Sequence, residues 1–89
     1  MSSIATVVAI IGKMQTAHDN DVERARTEVK AKIGEGQGKV TQEEADKQLA
    51  QVDMMDFQGS HAIEQLMLQT MSQVQKKEDE TSAAIARNI

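Results

Sequence analysis

The chain has 89 residues and a formal net charge of −4, and it contains a single Phe and no Cys, Pro, Trp or Tyr. Without thiols it forms no disulfide framework and no cysteine-ligated metal site, and one aromatic residue offers no stacking platform for single-stranded nucleic acid. The acidic balance also argues against a phosphate-binding surface. The composition therefore predicts an all-α chain with a small core and no nucleic-acid partner.

The first apolar run covers residues 4–11, which is far short of the roughly 20 residues that cross a bilayer. It is not preceded by the basic n-region of a secretory signal peptide, nor followed by a small-residue cleavage site. We therefore expect neither a membrane span nor a cleaved signal. An uncleaved segment rich in Ser, Thr and Ile is compatible with export by a specialised secretion machine.

A first amphipathic helix is predicted over about residues 3–33, with Ser2 or Ser3 as its N-cap. Its apolar face follows spacings of three and four residues through Ile11, Met14, His18, Val22, Ala25, Val29 and Ile33. Ile4, Val7 and Val8 extend the same face upstream. The opposite face is charged, and we expect water to cover it. It carries Glu23, Arg24, Arg26, Glu28, Lys30 and Lys32.

A glycine-rich turn is predicted over residues 34–40, because Gly34, Gly36 and Gly38 are incompatible with a continued helix. A phosphate-binding loop would need a strand before it and a Lys-Ser/Thr pair after it at fixed spacing, and the sequence has neither. A calcium loop would need alternating Asp or Asn ligands, which are also missing. The segment is therefore interpreted as a structural turn.

A second, longer helix is predicted from about residue 41 to residue 87. Thr41 and Glu44 have the spacing of a capping box, which places the helix start. Gly59 lies beside Ser60 and is a candidate kink in this helix.

Residues 65–75 carry no charge, and their apolar side chains cover more than half of the helix circumference. Such a helix needs neighbours on several sides. The two helices, about 45 and 70 Å long, also exceed a globule of this chain length, whose radius of gyration would be about 12 Å. We therefore expect a single α-hairpin domain over residues 1–89 whose core is completed by other copies or by a partner.

The titratable residues do not predict catalysis. A hairpin would place His18 and His61 at similar heights, but two histidines fall short of the three or four ligands of a functional metal site. Asp53 and Asp56 would serve acid–base chemistry only in a buried cleft, and we expect them to be solvated charges on an acidic face. No cofactor and no enzymatic activity are expected.

The segment SAAIARNI, residues 82–89, resembles the small-small-Ile-x-x-Asn-apolar terminus of many type III secretion needle proteins. The short chain without Cys, the two helices around a polar turn and the long second helix are similar to the needle and pilus subunits of those systems. In that family the C-terminal helix forms the inner wall of a helical tube, and the terminal residues are needed for polymerisation. The resemblance therefore implies assembly roles for Ala83, Ala84, Ile85, Asn88 and Ile89.

What the resemblance implies is a structural subunit that polymerises into a secretion needle or pilus and so forms a conduit for exported proteins. Such a subunit is cytoplasmic before export and then secreted to the bacterial cell surface without signal cleavage. Its partners are other copies of itself, secretion chaperones and other proteins of the apparatus. The predicted assembly interface comprises Ile4, Val8, Ile11, Ile63, Leu66, Met67, Met71, Val74, Ala83, Ala84, Ile85, Asn88 and Ile89.

Two other functions fit the same pattern. A small helical secretion chaperone or adaptor would cover the amphipathic helix of a partner in a groove of its own. A closed homo-oligomeric bundle would have a purely structural role. A filament subunit requires residues 86–89 for assembly, whereas a chaperone tolerates their loss.

Overall fold

The computed structural model describes residues 2–89, and over them the chain forms an antiparallel hairpin of two α-helices. Helix α1 spans Ser3–Ala31 and helix α2 spans Gln42–Asn88. The hairpin measures 77 × 20 × 12 Å, which confirms the all-α prediction with a long second helix. Met1, with which the predicted domain begins, lies outside the described residues. Across residues 2–89, neither helix combines the length and the apolarity needed to cross a membrane.

Helix α1 begins where the sequence predicts and ends two residues before the predicted position 33. The Ser2 hydroxyl accepts a hydrogen bond from the Ala5 amide at 3.1 Å, which satisfies one of the free N–H groups of the first turn. At the other end, the Lys32 carbonyl accepts from the Val40 amide at 2.9 Å, across the turn. This bond joins the end of α1 to the residue before the cap of α2.

The turn between the helices depends on glycine conformations. Gly36 and Gly38 have φ values of +105° and +81°, which side chains strongly disfavour. The Lys39 backbone amide donates a hydrogen bond to the Gly36 carbonyl at 3.2 Å. The Lys39 ammonium group donates another to the Ala31 carbonyl at 3.2 Å. The turn therefore both reverses the chain and caps the end of α1.

Helix α2 begins at the predicted cap. The Thr41 hydroxyl accepts from the Glu44 amide at 3.1 Å, and Glu43 and Glu44 place negative charge in the first turn, where the helix dipole favours it. The helix then continues through Gly59 to Asn88 without interruption. Gly59 interrupts the pattern of side chains but does not end the helix.

The core lies between the facing sides of the two helices and is small. Among the described residues, the buried apolar side chains are Ile11 and Val22 of α1 and Ala45 and Val52 of α2. The remaining seam is half-buried. A core of this size leaves much apolar surface exposed, as expected for a short chain without disulfides.

Candidate functional site

Helix α2 extends well past the point where α1 begins. Ile4, in the first turn of α1, lines a shallow groove together with Met71, Ser72 and Gln75 of α2. Lys76, Asp79 and Glu80 also line this groove. Residues 76–88 of α2 extend for about 20 Å, and every residue from 75 to 89 is exposed. We call residues 76–88 the overhang.

One face of the overhang continues the side of α2 that packs against α1 in the rest of the hairpin. Thr81, Ile85 and Asn88 follow Val74 at spacings that keep them on one helix face. They line a shallow open groove with Ala84, and 58% of Ile85 is exposed. The side-chain amide of Asn88 donates a hydrogen bond to the Ala84 backbone carbonyl at 3.0 Å. The groove therefore offers small and apolar surface beside the charged Lys77 and Glu80, and no part of residues 2–89 covers it.

The structure divides the predicted assembly residues by their exposure. Ile11 is buried in the seam, so its side chain packs within the hairpin. Val8 and Leu66 are exposed on the hairpin body, by which we mean residues 2–75. The half-buried members are Ile4, Ile63, Met67, Met71 and Val74. The exposed members on and beside the overhang are Ala83, Ala84, Ile85, Asn88 and Ile89.

A second exposed apolar surface was not singled out by the sequence analysis. Met54, Phe57, His61 and Leu68 are exposed at spacings of three, four and seven residues, which places them on one face of α2. The Phe57 and His61 rings stack with centroids 6.2 Å apart and an interplanar angle of 4°. We call these four residues the outer stripe. A search for apolar periodicity on the face opposite Val52 would have found it.

The middle of the hairpin holds a polar contact centred on His18. The His18 Nε2–H donates to a carboxylate oxygen of Asp56 at 3.0 Å and to the Asp56 backbone carbonyl at 3.2 Å. Only 18% of the His18 side chain is exposed. A Cβ at Gly59 would overlap the His18 ring, so the ring lies in a notch that this glycine leaves open. Asp56 is therefore not a purely solvated charge, contrary to the prediction.

The side chain of Arg26 also reaches from α1 to α2, although the helical pattern predicts that it lies on the solvated face. Its Nη2 donates to Asp53 Oδ1 at 2.6 Å and lies 3.6 Å from Asp56 Oδ2. Arg26 follows Ala25 at the edge of the apolar face, and its long side chain reaches across to α2. The hydrogen bond to Asp53 raises the pKa of Arg26 above its ordinary value, with the charges of Asp53 and Asp56 adding to it against a partial desolvation.

Gln15 extends this network toward the open end of the hairpin. Its Nε2 donates to Asp19 Oδ1 at 2.9 Å and to Ser60 Oγ at 3.4 Å. Ser60 Oγ in turn donates to Asp56 Oδ1 at 3.5 Å. We call the connected set the polar cluster; its members are Gln15, His18, Asp19, Arg26, Asp53, Asp56 and Ser60.

The polar cluster includes a set of groups with metal-binding chemistry. His18, Asp19 and Asp56 each present one ligand atom, and these atoms lie within 4.8 Å of one another. His61 belongs to the outer stripe, where its ring stacks on Phe57. A site formed by His18 and His61 was not expected from the sequence, and the structure groups His18 with two carboxylates instead.

Comparisons of the chain with protein-family models, with curated proteins and with solved structures found no significant match. A two-helix hairpin does not by itself define a function, which depends on the surfaces that the hairpin exposes.

Proposed function

We propose that the chain is a self-assembling structural subunit of a bacterial secretion filament, of the needle or pilus type found in type III secretion systems. In this role its copies polymerise into a conduit for exported proteins. The overhang is the observation that carries the proposal. It is about 20 Å of regular helix whose seam-continuing face, with Ile85 at its centre, has no cover within residues 2–89.

The free energy gained by burying exposed apolar side chains supports assembly between copies. Covering one large aliphatic side chain is worth about 1.5–3 kcal/mol, and the hairpin leaves Val8, Leu66 and Ile85 exposed around a small core. Contact between copies would bury these side chains. The small core and the exposed apolar surface thus have one common explanation.

The shape of the molecule favours an open assembly over a closed one. The overhang and the hairpin body are different surfaces of an elongated molecule. A contact between the overhang of one copy and the body of the next is therefore heterologous, and such contacts propagate into filaments when the rotation does not close.

The direct test is the size of the purified full-length chain. Size-exclusion chromatography with light scattering and negative-stain microscopy should show long assemblies for the wild type. Ile85→Asp places a charge in the overhang groove and should prevent assembly. Ser82→Asp adds the same charge to an exposed residue of the overhang that does not line that groove, and should leave filaments intact. Circular dichroism checks that both variants remain helical.

A wild type that stays monomeric at high concentration would reject the proposal. In that case an adaptor function becomes the better explanation, with the groove at Ile85 receiving an amphipathic helix of another protein. Equal loss of filaments in Ile85→Asp and Ser82→Asp would also remove the groove from the assembly contact.

A further inference from the structure

The polar cluster contains a donor set contributed by both helices. His18 and Asp19 are adjacent on α1, and Asp56 lies opposite on α2. His18 Nε2 and Asp56 Oδ1 are 3.0 Å apart, close to the spacing of about 3.3 Å between ligand atoms around a tetrahedral ion with 2.0 Å bonds. Asp19 is an exposed side chain, so it can close the remaining gap by a rotamer change.

The His18 ring is held in position before any ligand arrives. Gly59 provides the notch that the ring enters, and Asp56 provides two oxygen acceptors for its Nε2–H. A preordered ligand loses little conformational entropy when it binds an ion. When the proton moves to the other ring nitrogen, Nε2 presents a lone pair in the direction of the Asp56 carboxylate.

The local charge also favours a cation. The Asp19 carboxylate accepts the Gln15 amide N–H at 2.9 Å and forms no ion pair among residues 2–89. Arg26 lies nearer to Asp53 than to Asp56, at 2.6 Å against 3.6 Å. Two carboxylates therefore face His18 with only part of one guanidinium charge to balance them.

We propose that His18, Asp19 and Asp56 bind one Zn²⁺ ion, with a water molecule as the fourth ligand. One imidazole and two carboxylates suit zinc, whereas calcium and magnesium prefer oxygen ligands alone. The ion joins α1 to α2 at the middle of a hairpin with a small core, where a cross-link has most to stabilise. The site lies within one chain and does not depend on filament formation.

Calorimetric titration of the full-length chain with Zn²⁺, at a concentration where it is monomeric, tests the site. We expect one ion per chain and, with Co²⁺ as the probe, the visible absorption of a tetrahedral site. Asp19→Asn should weaken Zn²⁺ binding by about tenfold or more. Asp46→Asn is the matched control, since Asp46 is an exposed acid that accepts the Gln42 side-chain amide at 2.9 Å, as Asp19 accepts that of Gln15.

A measurement on the wild type removes any dependence on how the variants fold. Nitrogen-15 NMR of the two imidazole rings should show Zn²⁺ shifting the Nε2 resonance of His18 while the His61 resonances stay in place. The proposal is wrong if the wild type binds no Zn²⁺, if both histidines shift together, or if Asp19→Asn and Asp46→Asn bind equally. One ion per two chains would equally overturn it, because the ion would then link copies.

Discussion

The imidazole ring of His18 lies where a side chain at residue 59 would be, so His18 and Gly59 form one packing pair across the two helices. A glycine inside a helix costs about 1 kcal/mol relative to alanine. Here the cost is offset because the notch lets the ring reach both oxygen acceptors of Asp56. The glycine that the sequence marked as a candidate kink is thus a site of close helix packing.

The first prediction concerns this pair. Gly59→Ala should destabilise the hairpin by about 1–3 kcal/mol, because the new methyl group overlaps the His18 ring. Gly12→Ala is the matched control: a Cβ there meets no atom within 4 Å among the described residues, so the helix should gain about 0.5–1 kcal/mol. Thermal unfolding followed by circular dichroism measures both changes.

A double-mutant cycle measures the energetic coupling between His18 and Gly59. Adding His18→Ala to Gly59→Ala removes the overlapping ring, so the double variant should lose less stability than the sum of the two single variants. Strict additivity, or a Gly59→Ala chain as stable as Gly12→Ala, would show that the ring does not occupy the notch in solution.

The second prediction concerns the turn. Gly38→Ala should lower the free energy of unfolding by about 1 kcal/mol, because φ at this position is +81° and a Cβ is strained there. Gln37→Ala changes the preceding exposed residue and should be nearly neutral. Urea unfolding curves of both variants make the comparison. A neutral Gly38→Ala would mean that the turn adopts another conformation.

The third prediction concerns the start of α2. Thr41→Ala should lower stability by about 1 kcal/mol, since it removes the hydroxyl that accepts the Glu44 amide at 3.1 Å. Thr41→Ser keeps the hydroxyl and should retain most of the stability. Amide hydrogen exchange in the first turn of α2 should rise in the alanine variant alone; equal exchange in both variants would argue against the cap.

The fourth prediction concerns the exposed apolar surface of the hairpin body. Leu66→Asp should reduce self-association without unfolding the chain, because 41% of Leu66 is exposed and it is not one of the four buried residues. Gln65→Asp adds the same charge one position away and should change association less. Light scattering over a range of concentrations distinguishes them. Identical behaviour would remove Leu66 from the proposed interface.

Much of the fold follows from local physical chemistry and is therefore readable in the sequence. The caps at Ser2 and Thr41 each involve residues three positions apart, so the sequence alone places them. Helical periodicity likewise predicts the two helices and the seam that contains Ile11 and Val22. The glycine-rich turn follows from the same kind of short-range argument.

The polar cluster depends on contacts between residues distant in the sequence, and local patterns do not encode these. Arg26 and Asp56 looked like solvated charges because each was judged only by its position on its own helix. Their environment depends on the register in which α1 packs against α2, which sets His18 opposite Asp56 and Gly59.

The sequence determined which helices form, where they are capped and that they expose apolar surface. Only the tertiary structure decided which side chains meet between them, because one relative position of the two helices determines every contact across the seam.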